Sequence, residues 1–193
     1  MFSNKDLRKL IIPLVIEQLL AVTIGMADTV MVSSCGEAAV SGISLVDSIN
    51  FLLITLFSSL ATGGAVIASQ YIGRGDHKSA SLAAKQLFYA SLALSAVLGV
   101  IAVFFRKPVL NMVFGSIEAD VMAHAQIYFL LSAISYPFLA VYNAGAALFR
   151  SMGDSRTTML ISILMNTINI VGNAILIYGF QMAAAGAVTA SLV

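Results

Sequence analysis

Residues 10–34 read LIIPLVIEQLLAVTIGMADTVMVSS. A helix that crosses a bilayer needs about 20 mostly apolar residues, and this run is long enough. It also carries two carboxylates, Glu17 and Asp28, eleven positions apart. At about 100° per residue that separation is close to three full turns, so both acids lie on one helix face. An acid at bilayer depth costs roughly 3 kcal/mol on insertion scales. Two acids on one stripe therefore argue that the stripe faces protein or a watery cavity, not lipid.

The rest of the composition agrees with a membrane chain. Of 193 residues, 60% are hydrophobic and only 10% are charged, against about 25% charged in a soluble domain. Mean hydropathy is +0.97. A net charge of +1 leaves no polybasic surface for nucleic acid. The lone Cys35 cannot form an intramolecular disulfide, and no Cys/His cluster has the spacing of a structural metal site. The first apolar run is too long and too acidic for a cleavable signal, so it is expected to remain as the first span.

Charges and Gly/Pro punctuation divide the chain into spans at approximately 10–33, 46–71, 86–105, 121–149 and 158–178. A sixth starts near 183 and is incomplete at 193. About 11 residues at 1.5 Å each cover half of a 30 Å hydrocarbon core, so the chain is expected to be a piece of a longer protein. With the N-terminus inside, the cytoplasmic segments hold Lys5, Arg8, Lys9, Arg74, Lys78, Lys85, Arg150 and Arg156. Only Arg106 and Lys107 lie outside. That asymmetry predicts a cytoplasmic N-terminus.

Short connections carry turn chemistry. Gly73 and Gly75 can end the second span, with Asp76 capping the next helix. Gly153 can close the fourth span in the left-handed conformation, with Asp154 or Ser155 capping the fifth. Outside, Pro108 breaks the third span, residues 109–114 form a short interfacial piece, and Ser116 is expected to start the helix that follows.

Polar residues inside the spans are candidate site residues. Asn166, Asn169 and Asn173 share one face of the fifth span. That face is either interhelical hydrogen-bond glue or part of a polar site with Asp28. Amide oxygens beside a carboxylate suit Na⁺, since hard cations prefer oxygen ligands, and equally suit a carboxylate that gains and loses a proton. Thr55, Ser58 and Thr62 follow helical spacing in the second span; backbone bonding is the first reading and a weakly polar cavity wall the second. Ala61, Gly64, Ala65 and Ala68 offer a small-residue surface for close helix contact. Pro137 in the fourth span removes a helical hydrogen bond and is a hinge candidate. No catalytic signature is present, and no enzyme activity or cofactor is expected.

Taken in order, PLVIEQLL, ADTVMVSSCG, ATGGAVIASQYIGRGD, SYPFLAVYNAGAALFRSMGDSRTTM, NTINIVGNAILIYG and AAAGAVTAS resemble the N-terminal half of a bacterial multidrug and toxic compound extrusion (MATE) transporter. The resemblance implies an all-α integral membrane protein: the six-helix N-terminal lobe, its sixth helix truncated, of a twelve-helix transporter. It implies export of drugs, organic cations and other amphipathic compounds from a bacterial cytoplasmic membrane, with inward Na⁺ or H⁺ as the driving ion and a second six-helix lobe as partner. Its cation site would use Asp28, Asn169, Asn173 and Ser191, with Glu17, Thr55, Ser58, Thr62 and Asn166 as further polar cavity residues. Some members carry an acid at the position of Asn173 and many carry Thr at that of Ser191, so the first departure removes a charge. Competing readings are a lipid-linked precursor flippase, which predicts a more cationic cavity, and a non-transporting membrane protein.

Overall fold

A computed structural model describes residues 4–33 and 37–174, with no side-chain placement for 4–6, 9, 24, 27–33, 169, 170 and 172–174. All the elements among the described residues are helices: α1 (Asn4–Ser33), α2 (Glu37–Gly73), α3 (His77–Phe104), α4 (Arg106–Phe114), α5 (Ala119–Ser151) and α6 (Ser155–Ala174). The fourth and fifth spans of the sequence correspond to α5 and α6. The expected sixth span and the end of the fifth lie outside the described residues. Helices α2, α3 and α5 are each long and apolar enough to cross a membrane.

Helix α5 is the hub. It packs along α2 and α3, which also pack on each other, while α1 pairs mainly with α6. The result is a three-helix bundle beside a two-helix pair. Lipid tails are as apolar as leucine, so helices in a membrane associate through close packing rather than water exclusion. Small residues supply that packing. Ala61, Ala65 and Ala68 of α2 meet Ala144 and Ala147 of α5, with Leu87 and Leu148 filling between them. Nearer the other end, Phe57 packs on Tyr136, ring centroids 6.1 Å apart, in a cluster with Val46, Phe129 and Leu110.

Helix α2 begins at Glu37, ahead of the apolar run that starts at 46. Its first turns are held by α5: a Cβ added at Gly42 would lie 2.8 Å from the Val121 carbonyl oxygen and 2.9 Å from the Ala125 nitrogen. Backbone touches backbone there, and only glycine leaves room.

The two Gly-Asp turns, after α2 and after α5, are built alike. Gly75 and Gly153 adopt φ of +75° and +84°. The next amide in each case reaches five residues back, Asp76 N to Tyr71 O at 3.0 Å and Asp154 N to Phe149 O at 2.9 Å. Each aspartate then caps the following helix. Asp76 accepts from Ser79 N at 3.0 Å, and Asp154 accepts from Thr157 N at 3.1 Å and Thr157 Oγ1 at 2.6 Å. These bonds hold both carboxyls below the ordinary aspartate range.

On the other side, α4 keeps Pro108 in its first turn, where a missing N–H is not felt. Its Leu110 is fully buried against the bundle while Met112 is exposed. The expected helix start at Ser116 is corrected: α5 starts at Ala119, with Glu118 at the cap position and no side-chain cap bond. The chain leaves α4 through Gly115 at φ +71°, which delays the helix.

Pro137 sits inside α5. Lacking an N–H, it leaves the Ala133 carbonyl without its helical donor. Gly99 of α3 comes close to that carbonyl: a Cβ there would lie 3.0 Å from the Ala133 oxygen. The proline therefore marks a close α3–α5 approach.

Candidate transport cleft and ion-pair cluster

One face of α2 is left open beside the α1/α6 pair. Ile54, Thr55, Ser58, Ser59 and Thr62 line a cleft of about 530 Å³. Ser58 and Thr62 also belong to an adjoining cleft of about 460 Å³, which reaches Ser69 on α2 and Ala147, Arg150 and Ser151 on α5. Four of the hydroxyls on α2 here are already committed as donors. Thr55 Oγ1 donates to Phe51 O at 2.7 Å, Ser59 Oγ to Thr55 O at 2.7 Å, Thr62 Oγ1 to Ser58 O at 2.8 Å and Ser69 Oγ to Val66 O at 2.8 Å. A hydroxyl that gives its hydrogen to its own helix presents acceptor lone pairs outward. Both sequence readings of Thr55 and Thr62 thus hold together, as backbone bonds and as a cleft wall.

At the Arg150 end of this cleft an ion pair between α1 and α5 lies beside polar groups of α6. Arg150 Nη1 lies 3.6 Å from Glu17 Oε1, joining α5 to α1. The Glu17 side chain is only 16% exposed, and its Oε2 is buried with no hydrogen-bond partner among the described residues. Tyr142 of α5 lies near both charges and beside Ser162 of α6. Asn166 Nδ2 donates to the same Ser162 Oγ at 3.1 Å. The sequence placed Arg150 in a loop beyond the fourth span; it stands instead in the last turn of α5 and reaches a cleft.

A second polar cluster ties α2 to α5; Asp47 and Asn50 stand out in the sequence as polar residues of the second span, but their partners on α5 do not. Tyr128 Oη donates to Asp47 Oδ1 at 2.6 Å, Tyr136 Oη to Asn50 Oδ1 at 2.8 Å, and Asn50 Nδ2 to Ser132 Oγ at 3.2 Å. Its signal was the matched spacing of Tyr128, Ser132 and Tyr136 opposite Asp47 and Asn50.

Of the expected cation-site residues, the backbone of Asp28 lies in α1 and those of Asn169 and Asn173 in α6. Their side chains lie outside the described residues, as does the whole of Ser191. The structure brings Glu17 and Asn166 into one neighbourhood through Tyr142 and Ser162. Thr55, Ser58 and Thr62 form a separate wall.

The MatE family model matches residues 13–175, from the first helix through the sixth. The chain belongs to the MatE family. It is 30% identical over 168 residues to a Bacillus subtilis protein described as an uncharacterized transporter, YisQ, covering 86% of this chain and 36% of that one. It is 29% identical to a probable multidrug resistance protein NorM of Thermotoga maritima, covering 91% and 38%. Among solved structures, a MOP superfamily transporter from Pyrococcus furiosus matches with a TM-score of 0.84 at 26% identity, over 97% of this chain and 41% of the other. The chain thus spans about two fifths of the length of these relatives. In MatE terms the helices correspond to an N-terminal lobe.

Proposed function

We propose that this chain is the N-terminal lobe of a cation-coupled multidrug antiporter in a bacterial cytoplasmic membrane, with its N-terminus in the cytoplasm. It exports organic cations and other amphipathic compounds by alternating access, together with a second six-helix lobe that completes the cavity. The observation that carries the reading is the α2 wall of acceptor oxygens in a MatE chain. Such a wall offers partners to a cation or a hydrogen-bond donor without a fixed charge that would hold it.

The coupling ion, Na⁺ or H⁺, is assigned to Asp28, with Asn169, Asn173 and Ser191 as oxygen donors. The register of α1 against α6 supports this. The two run in parallel, with Ile12 and Ile16 beside Met159 and Leu160. Eleven residues beyond Glu17 stands Asp28, and eleven beyond Ser162 stands Asn173, so the two backbones reach similar heights. Neutralising Asp28 shifts the α1/α6 pair against the α2/α3/α5 bundle and withdraws the drug's place in the cleft. Each ligand acts only through its different affinity for the two states. The flippase reading needs a free cation for pyrophosphate; Arg150, the cation lining the cleft among the described residues, is offset by Glu17.

Ethidium accumulation in efflux-deficient cells tests the proposal. Cells expressing the chain joined to a second lobe are expected to exclude the dye, and Asp28→Asn is expected to abolish exclusion at equal protein level. Full exclusion by Asp28→Asn removes Asp28 from the coupling role.

A further inference from the structure

A third cleft, of about 600 Å³, lies between the first turns of α1 and α6, away from the α2 wall. Its lining is apolar, Ile12, Pro13, Ile16, Met159 and Leu160, except for two arginines, Arg8 and Arg156. Arrangement matters more than composition here. On α1, Arg8, Ile12 and Ile16 recur every four residues and so form one stripe. On α6, Arg156, Leu160 and Leu164 repeat the same spacing. Ile12, Leu160 and Leu164 are more than half exposed, at 53%, 61% and 61%. Because the helices run in parallel, both arginines stand at one end and both apolar rails lead away from them. From Arg8 to Ile16 is about 12 Å, most of the depth of one ~15 Å leaflet.

We propose that this groove binds one anionic phospholipid of the inner leaflet, its phosphate between Arg8 and Arg156 and an acyl chain along Ile12, Ile16 and Leu160. Charge complementarity selects the occupant. Among the described residues neither arginine forms an ion pair. The acid near Arg156 is Asp154, which is committed to capping α6 through Thr157. Basic pockets between membrane helices on the cytoplasmic side favour anionic headgroups, while an organic cation is repelled. The lipid would bridge α1 and α6 at the point where the pair meets the membrane surface. The leaflet rests on the cytoplasmic orientation proposed above.

Native mass spectrometry of the detergent-solubilised chain titrated with dioleoylphosphatidylglycerol tests the site, with dioleoylphosphatidylcholine as comparison. Arg8→Ala/Arg156→Ala is expected to weaken phosphatidylglycerol binding about tenfold or more. Arg8→Lys/Arg156→Lys should retain most of it, and Arg106→Ala/Lys107→Ala should leave it unchanged. Glycerol phosphate, which has the anion without the chains, should not compete. Undiminished phosphatidylglycerol binding by the double alanine variant overturns the proposal, as does equal binding of phosphatidylcholine or effective competition by glycerol phosphate. Orientation is read separately by impermeant maleimide labelling of Arg8→Cys in a Cys35→Ala background. Labelling in inverted vesicles supports the inner leaflet. Labelling from outside overturns the leaflet even where the arginines still hold lipid, whereas inside labelling with no arginine dependence overturns the lipid site and leaves the orientation standing.

Discussion

Glu17 and Arg150 form the ion pair between the α1/α6 pair and the bundle. Their 3.6 Å contact is neither fully wet nor fully buried, with Arg150 35% exposed and Glu17 16%. Breaking a buried pair costs more than losing a surface one, because the remaining charge stays desolvated. Arg150→Ala is expected to destabilise by about 1–3 kcal/mol, between those limits. Glu17→Gln/Arg150→Gln should lose less than the sum of the single changes, as a double-mutant cycle of thermal unfolding in detergent would show. The Asp154 cap gives a pH dependence of defined sign. Its carboxyl is held below the ordinary value of 3.8, chiefly by the Thr157 hydroxyl and then by Thr157 N–H. A lowered folded pKa stabilises above the unfolded value and is lost as pH falls through the lowered one. Hydrogen exchange at the Thr157 amide should therefore be flat above pH 5 once intrinsic rates are divided out. It should lose protection below about pH 4, and Asp154→Asn should flatten that loss. Glu17 was legible in the sequence as an acid that could not face lipid. Arg150 was not, because a cation one residue past an apolar run reads as loop until its helix is seen to extend two residues further.

Among the helices, α5 organises the others through close approach rather than bulk. Gly42→Ala places a methyl against the backbone of Val121 and Ala125. Overpacking costs about 1–3 kcal/mol and exceeds the ~1 kcal/mol that alanine gains over glycine in a helix, so the variant is expected to be less stable. Thermal unfolding of the purified chain checks this, with Gly63→Ala as control, since nothing lies within 4 Å of a Cβ there. Helices α2, α3 and α5 were legible because each carries a long apolar run, and both Gly-Asp turns because the same residues perform the same two tasks. The start of α2 was obscured by the mixed segment 37–45, which is helical because α5 covers it. The Asp47/Asn50 cluster was hidden for a related reason: its tyrosines sit some eighty residues away, and only the register of α2 on α5 unites them.

For the whole molecule, the division into a three-helix bundle and a two-helix pair determines what can move. The pair touches α5 and α2 far less than the bundle helices touch one another. Among the described residues an ion pair, Glu17 to Arg150, links it to the bundle, and Ser162 approaches Tyr142. In the alternating access proposed above, a displacement of α1 with α6 would change the cleft at Ser58 and Thr62 and leave the alanine-lined core of α2, α3 and α5 intact. Sequence alone suggested a shared stripe of Glu17 and Asp28 and a face of three asparagines; the packing of α1 along α6 brings Glu17 and Asn166 into one neighbourhood, while the side chains of Asp28, Asn169 and Asn173 lie outside the described residues. The most direct test is ethidium uptake into everted membrane vesicles containing the chain joined to a second six-helix lobe, with Na⁺ and proton gradients imposed separately. The account predicts uptake driven by one of the two gradients and abolished by Asp28→Asn at unchanged protein level. Gradient-driven uptake that survives Asp28→Asn at full rate would contradict it.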